Sequence, residues 1–142
     1  YAQKEFGFGT LSYRTTYSYT LVYKKQDLPG GPFVQQLERA GVPRWRWNNI
    51  FGYSLGIHDV TLASHSNGRY QKGNDTYGYL GSFTSWDLNY GISVSKNASL
   101  NVGGENVFNQ QYPQDNSDAV FRGGGGKFYP LPTIYVKADF TI

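Results

Sequence analysis

A strict alternation of apolar and polar residues runs along residues 10–24 and limits what this chain can fold into. The odd positions carry mostly leucine and tyrosine, and the even positions carry mostly serine, threonine and basic residues. Because successive side chains of a β-strand point to opposite faces, the pattern predicts a strand with one apolar and one polar face. This strand would have about 15 residues, whereas strands in soluble proteins usually have about 5–6.

The same two-sided pattern recurs along the chain. It predicts an all-β protein of about six antiparallel, up-and-down strands. The third pattern is the weakest, because serine residues interrupt its apolar face. The predicted strands cover residues 10–24, 43–56, 59–70, 84–95, 100–109 and 127–142.

The segments between the predicted strands alternate in length. The tight turns are 56–59 and 96–99, and the long loops are 25–42, 71–83 and 110–127. Transmembrane β-barrels have this asymmetry, with short periplasmic turns and long extracellular loops. It places residues 1–9 on the periplasmic side. In the first long loop, we expect a helical turn over residues 33–40.

Composition agrees with a membrane barrel and argues against other classes. Aromatic residues make up 18% of the chain, yet its mean hydropathy is −0.53. No apolar run approaches the roughly 18 residues of a membrane helix, whereas barrel strands alternate and so average out as hydrophilic. Cysteine is absent, which excludes a disulfide framework and thiolate metal sites. The net charge of +3 comes from scattered basic residues, so no nucleic-acid partner is expected.

Large aromatic residues fall at the strand ends that this topology makes extracellular. Tyr and Trp concentrate at membrane interfaces because their rings are apolar and their tips polar. The expected interface residues are Tyr23, Trp45, Trp47, Tyr70 and Trp86. A soluble β-sandwich would use such residues in its core, but the strand lengths and the loop asymmetry favour the membrane.

Residues 101–113, NVGGENVFNQQYP, resemble the penultimate strand of TonB-dependent outer-membrane receptors. In that family a hydrophobic strand ends in Gly-x-x-Asn-x-Phe-Asp/Asn, followed by Tyr or Pro. The matching positions here are Gly103, Asn106, Phe108, Asn109, Tyr112 and Pro113. Residues 42–56 resemble the family's strand opening with Pro and Arg, and residues 85–108 resemble a hairpin of the family.

This resemblance implies the C-terminal segment of such a receptor, which is part of a transmembrane β-barrel of about 22 strands with a plugged lumen. The receptors lie in the bacterial outer membrane and import scarce nutrients such as siderophores, cobalamin or oligosaccharides. In that family the plug and the TonB-contacting segment are N-terminal, so we expect neither in this stretch. Since the sequence starts at Tyr1 and has no Met, we expect a fragment. The implied partners are the remaining barrel strands, the plug, the TonB complex, outer-membrane lipid and the barrel-assembly machinery.

The last predicted strand resembles the assembly signal of outer-membrane barrels. These proteins end in an alternating strand with a terminal Phe, which the assembly machinery recognises. The corresponding residues here are Tyr135, Phe140 and Ile142, with Ile142 in place of the usual Phe.

No catalytic residues, cofactor site or metal site are expected, so the chain is not predicted to be an enzyme. The two histidines, His58 and His65, are interpreted as structural because no ligand cluster accompanies them. The candidates for substrate contact are Asp75, Tyr77, Tyr79, Trp86, Gln114 and Asp115. Charged residues expected on the lumen face are Arg14, Arg44, Arg46, Asp87 and Glu105. We expect them to form salt bridges with one another or with the plug.

Two hypotheses from other classes stay open on the sequence. Six strands cannot close a barrel in lipid, because their edges would leave backbone groups unpaired. A Tyr- and Gly-rich segment with exposed edges could instead stack into a β-rich filament. A soluble β-sandwich that binds carbohydrate is the other alternative.

Overall fold

The computed structural model describes residues 1–39, 42–72, 78–113 and 131–140. Within these ranges every regular element is a β-strand, and no helix is long and apolar enough to cross a membrane. The strands in chain order are β1 (Ala2–Phe6), β2 (Gly9–Tyr19), β3 (Lys24–Gln26), β4 (Phe33–Gln35), β5 (Trp45–Leu55), β6 (His58–Asn67), β7 (Tyr70–Gln71), β8 (Tyr79–Leu80), β9 (Phe83–Ser95), β10 (Ala98–Glu105) and β11 (Thr133–Phe140).

Seven of the described strands form one sheet in the order β1-β2-β5-β6-β9-β10-β11. Each is antiparallel to its neighbour, and each pairs with the next long strand of the chain. The predicted all-β, antiparallel, up-and-down fold is therefore confirmed. Two short hairpins, β3–β4 and β7–β8, lie in the connections. A β-sandwich needs two packed sheets, and the long described strands all belong to a single sheet.

The N-terminal segment corrects the sequence analysis. Residues 1–9 were expected only to lie on the periplasmic side, but Ala2–Phe6 is a strand that runs back along β2, with Ala2 opposite Tyr13. The alternation did not reveal this strand because Lys4 and Glu5 place a charge on each of its faces.

The first long connection also differs from expectation. The strand predicted over residues 10–24 ends at Tyr19, and the chain then forms β3. The helical turn expected over residues 33–40 is wrong for the described part, because β4 pairs with β3 as an antiparallel hairpin.

Two-residue turns connect three pairs of described strands at one end of the sheet, which we call the turn end. They are Gly7-Phe8, Gly56-Ile57 and Lys96-Asn97. Gly56 has a φ of 58°, which glycine adopts without the strain that a side chain would cause. The longer connections leave and re-enter the sheet at the opposite end, the loop end.

The strand register assigns side chains to two faces across the whole sheet. One row reads Tyr13, Phe51, Leu62, Leu88, Gly104 and Ile134. A neighbouring row on the other side reads Ser12, Gly52, Thr61, Asn89, Gly103 and Tyr135. We call the first side the apolar face and the second side the polar face.

The apolar face is not covered by any other described part of the chain. Phe51, Leu88 and Val136 are 42%, 43% and 68% exposed, respectively. Buried apolar residues lie instead at the loop end, and they are Leu37, Tyr70, Leu80 and Phe83. An apolar surface of this extent marks a contact with lipid or with another protein.

Candidate functional site

Most of the charged residues predicted for the lumen share the polar face of the sheet. These are Arg14, Arg46, Asp87 and Glu105. Arg44 lies just before β5, and its Nε is 3.2 Å from Oε1 of Glu38 in the first long connection. Among the described residues, no ion pair joins two members of the predicted set. Asp87 pairs instead with His65.

A hydrogen-bonded cluster crosses the polar face from β5 to β9 near the loop end of these strands. His65 Nε2 lies 3.1 Å from Asp87 Oδ2, and His65 Nδ1 lies 2.9 Å from Asn48 Oδ1. The other carboxylate oxygen, Asp87 Oδ1, accepts a hydrogen bond from the backbone N–H of Asn106 at 2.8 Å. The cluster thereby connects three strands to the segment that follows β10. No group of three His, Cys, Asp or Glu side chains in the described residues could hold a metal ion.

Asn106 ends β10 and fixes the path of the chain beyond it. Its side chain is almost fully buried, and its φ is 47°. Asn106 Nδ2 donates to the backbone oxygen of Gln110 at 3.0 Å, and Asn106 Oδ1 accepts from the N–H of Gln110 at 2.9 Å. Asparagine tolerates this left-handed conformation better than most residues and closes turns with its amide. The motif at residues 103–109 thus has a structural role in this chain.

An aromatic pair lies on the polar face at the loop end. Phe83 and Tyr112 stack with their ring centroids 4.0 Å apart, and Tyr112 Oη donates to Asn67 Oδ1 at 3.1 Å. Burial raises the pKa of the Tyr112 phenol, because the phenolate would lose hydration, and the positive charge of Arg46 acts in the opposite direction.

A cavity of about 290 Å³ opens at the loop end beside β2 and β5, and we call it the rim pocket. Its lining residues are Ser18, Thr20, Tyr23, Val42, Pro43, Arg44, Trp45 and Arg46. Hydrogen bonds with Tyr19 and Glu38 raise the pKa of the Arg44 guanidinium. The lining combines two guanidinium groups with three hydroxyl groups, which suits an oxygen-rich or negatively charged ligand. Sequence reasoning did not identify this pocket, because it depends on how the first connection folds back over the strand ends.

The residues predicted to contact substrate are not gathered at one place in the described structure. Asp75, Tyr77, Gln114 and Asp115 lie outside the described residues. Tyr79 lies in β8, where the guanidinium of Arg69 is 4.5 Å from the centroid of its ring. Trp86 lies on the apolar face, in edge contact with Phe108. The apolar side predicted for Trp86 in its strand agrees with this position, and its contact with substrate stays a prediction.

The aromatic residues predicted at the membrane interface have different environments. Trp45 and Trp47 lie on the apolar face at the loop end of β5, opposite Tyr19 and Tyr17 of β2. Tyr23 is exposed in the connection that follows β2.

Tyr70 does not fit the interface prediction. It is 4% exposed and pairs with Leu80 in the hairpin of β7 and β8. A buried ring cannot contribute to an exposed aromatic belt, so this prediction is wrong. The chain leaves the long strand β6 at Asn67, before it reaches Tyr70.

The residues of the predicted assembly signal do not share one face. Phe140 is on the apolar face and largely exposed. Tyr135 is on the polar face, where its ring covers Gly103 and its Oη donates to Asn89 Oδ1 at 3.4 Å. Ile142 lies outside the described residues.

Comparison with solved structures relates this sheet to a known barrel. The chain is similar to the siderophore receptor PirA from Acinetobacter baumannii, with a TM-score of 0.65 over 97% of this chain. The chain therefore shares the fold of part of that protein. The resemblance predicted from residues 101–113 is thus confirmed at the level of the fold. Sequence identity is 18%, and the chain spans about a fifth of that receptor, 20% of its length. Comparison of the sequence with family models and with curated proteins gave no match.

Proposed function

We propose that this chain forms part of the wall of a TonB-dependent outer-membrane receptor that imports a scarce nutrient. The sheet itself carries the proposal. It joins a mainly apolar face to a polar face, with two-residue turns at one end and long connections at the other. These are the properties of a transmembrane barrel wall, in which the apolar face meets lipid and the polar face lines the lumen.

The strand lengths support a membrane-spanning role. β5, β6 and β9 contain 11, 10 and 13 residues. A tilted strand of about 9–11 residues crosses the hydrocarbon core of a bilayer. In water, strands of this length with an exposed apolar side would promote aggregation. In a bilayer, the same apolar side is in contact with lipid.

Iron chelates of the siderophore class are our first candidate for the nutrient, with cobalamin and oligosaccharides as the other classes. The similarity to a siderophore receptor supports this order. As part of such a receptor, the chain would have as partners the remaining barrel strands, a plug, the TonB complex, the assembly machinery and outer-membrane lipid.

Uptake by the native organism tests the proposed function. We expect inactivation of the gene to abolish uptake of radioactive iron from at least one ferric chelate under iron limitation, and inactivation of TonB to have the same effect. Restoring the gene on a plasmid is the control. Normal uptake of every ferric chelate, with lost use of cobalamin or an oligosaccharide, would change the substrate class. Loss of none of these activities would contradict transport.

A further inference from the structure

The rim pocket lies where β2 and β5 end, and no sequence motif indicated it. Ser18 and Arg46 lie directly opposite each other on β2 and β5, and both belong to the polar face. The ladder of these strands continues beyond this pair, since the N–H of Thr20 donates to the backbone oxygen of Arg44 at 2.8 Å. The lining thus joins Ser18 and Arg46 of the polar face with Trp45 of the apolar face, at the end of the sheet where the long connections lie.

The two arginines of the pocket differ in how they are held. Arg44 is fixed by its ion pair with Glu38, and its guanidinium lies 5.9 Å from the ring centroid of Tyr19. Arg46 is exposed and forms no ion pair with any carboxylate in the described part of the chain. One guanidinium is thus already positioned by protein contacts, and the other has no carboxylate partner among the described residues and can turn its donors to a ligand.

The rest of the lining favours an anion over a cation. The hydroxyl groups of Ser18, Thr20 and Tyr23 add hydrogen-bond donors, and no carboxylate belongs to the lining formed by the described residues. Charge-assisted hydrogen bonds from guanidinium to carboxylate, catecholate or phosphate oxygen are among the strongest that proteins make. A cationic ligand would instead meet the positive charge of Arg46, which no described carboxylate pairs with.

We propose that the rim pocket binds an anionic group of a diffusible nutrient, with Arg46 as the principal contact. This inference rests on the proposed function, because it assigns a charge to the transported molecule. A phosphate of an outer-membrane lipid is a less suitable source of the anion, since Ser18 and Arg46 face away from the apolar side of the sheet.

Calorimetric titration of the native protein, purified in detergent, tests the assignment. The probes are a ferric tris-catecholate complex, which is anionic, and ferrioxamine B, which is a cationic ferric chelate. We expect the anionic complex to bind more tightly. Arg46→Gln should weaken its binding about tenfold, as loss of one charge-assisted hydrogen bond predicts. Arg46→Lys, which keeps the charge, should retain part of the affinity.

Arg14→Gln is the matched control, because Arg14 carries the same charge on the same face but lies outside the pocket, with its guanidinium 5.4 Å from the ring centroid of Tyr1. It should change the affinity less than twofold. Equal effects of Arg14→Gln and Arg46→Gln would overturn the assignment, as would equal binding of the two chelates. Gel mobility before and after heating verifies that each variant is folded.

Further outcomes separate this inference from the proposed function. Intact iron uptake in cells that carry Arg46→Gln, with unchanged affinity for the anionic chelate, would overturn the anion pocket and leave the transport proposal in place. Binding of iron-free citrate that Arg46→Gln abolishes, without binding of any ferric chelate, would support the pocket and contradict iron transport.

Discussion

The polar face has no side chain at Gly103, and the ring of Tyr135 from the neighbouring strand occupies that space. A Cβ at position 103 would overlap this ring, so Gly103→Ala must displace Tyr135 from its contact with Asn89. Overpacking of this kind costs about 1–3 kcal/mol. We expect Gly103→Ala to lower the temperature at which the native protein loses its folded gel mobility.

Two variants make this prediction specific. Gly7→Ala is the control, because a Cβ at Gly7 would meet no atom within 4 Å. Adding Tyr135→Ala to Gly103→Ala should recover part of the lost stability by removing the overlap. If Gly103→Ala melts at the same temperature as the wild type, Tyr135 does not occupy the described position.

Tyr112 provides a pH-dependent measurement outside the membrane-spanning strands. Burial raises the pKa of its phenol above the ordinary value of about 10, so the folded state favours the neutral form. The stability that Tyr112 contributes is fully present below pH of about 10 and is lost as the pH rises through the raised pKa. The tyrosinate absorbance of Tyr112 is the difference between the wild type and Tyr112→Phe. We expect this absorbance to develop at a pH above the ordinary pKa of about 10.

Arg46 gives this titration a second, independent test. Its positive charge lowers the pKa of Tyr112 and so partly offsets the effect of burial. Arg46→Gln should therefore move the titration of Tyr112 to still higher pH, and Arg14→Gln should not move it. An unchanged titration of Tyr112 in Arg46→Gln would show that the two side chains are not adjacent.

At the scale of the elements, alternation located the long strands better than it located their ends. The predicted range 43–56 encloses β5, because apolar and polar residues alternate along this strand and the alternation can be read from the sequence. The end of β2 was not visible, since Leu21 and Tyr23 continue the pattern after the sheet pairing has stopped at Tyr19. There the N–H of Gln36 donates to the oxygen of Tyr23 at 2.7 Å, and the chain folds back across the loop end.

The candidate site was less predictable than the strands. The contact of His65 with Asp87 and the pairing of Ser18 with Arg46 each join strands that are distant in sequence. The alternation of apolar and polar residues along a strand assigns each residue to a face of the sheet. It does not determine which residue of the neighbouring strand lies opposite. The sequence could therefore place Arg46 and Asp87 on a polar face without revealing their partners.

If the apolar face meets lipid and the polar face lines the lumen, substitution by arginine should destabilise the protein far more on the apolar face than on the polar face. Leu88 lies on the apolar face near the middle of β9 and pairs with Leu62. Leu88→Arg should cost roughly 2–4 kcal/mol, the penalty for arginine near the bilayer midplane. Thr61→Arg, one residue from Leu62 but on the polar face, should cost much less. The folded fraction after refolding the native protein into lipid vesicles measures both. Equal losses would contradict a lipid-facing apolar side.

At the scale of the whole molecule, the edges of the sheet determine what must surround it. In the described structure β1 and β11 each pair on one side only. The other side of each strand presents backbone N–H and C=O groups, which would be costly to leave unpaired in hydrocarbon. In a membrane the sheet must therefore be completed by further strands, supplied by the same polypeptide or by other chains.

Intact mass distinguishes these two ways of completing the sheet. The chain described here has a mass of 16.0 kDa. We expect an antibody to residues 110–127 to capture from outer membranes a polypeptide several times heavier, because a single chain that supplies all strands satisfies every edge at once. Antibody blocked with the same peptide is the control. A captured mass near 16.0 kDa would mean that the edges are satisfied between copies. In that case a fibre-diffraction reflection at about 4.7 Å would show that the copies stack as a filament.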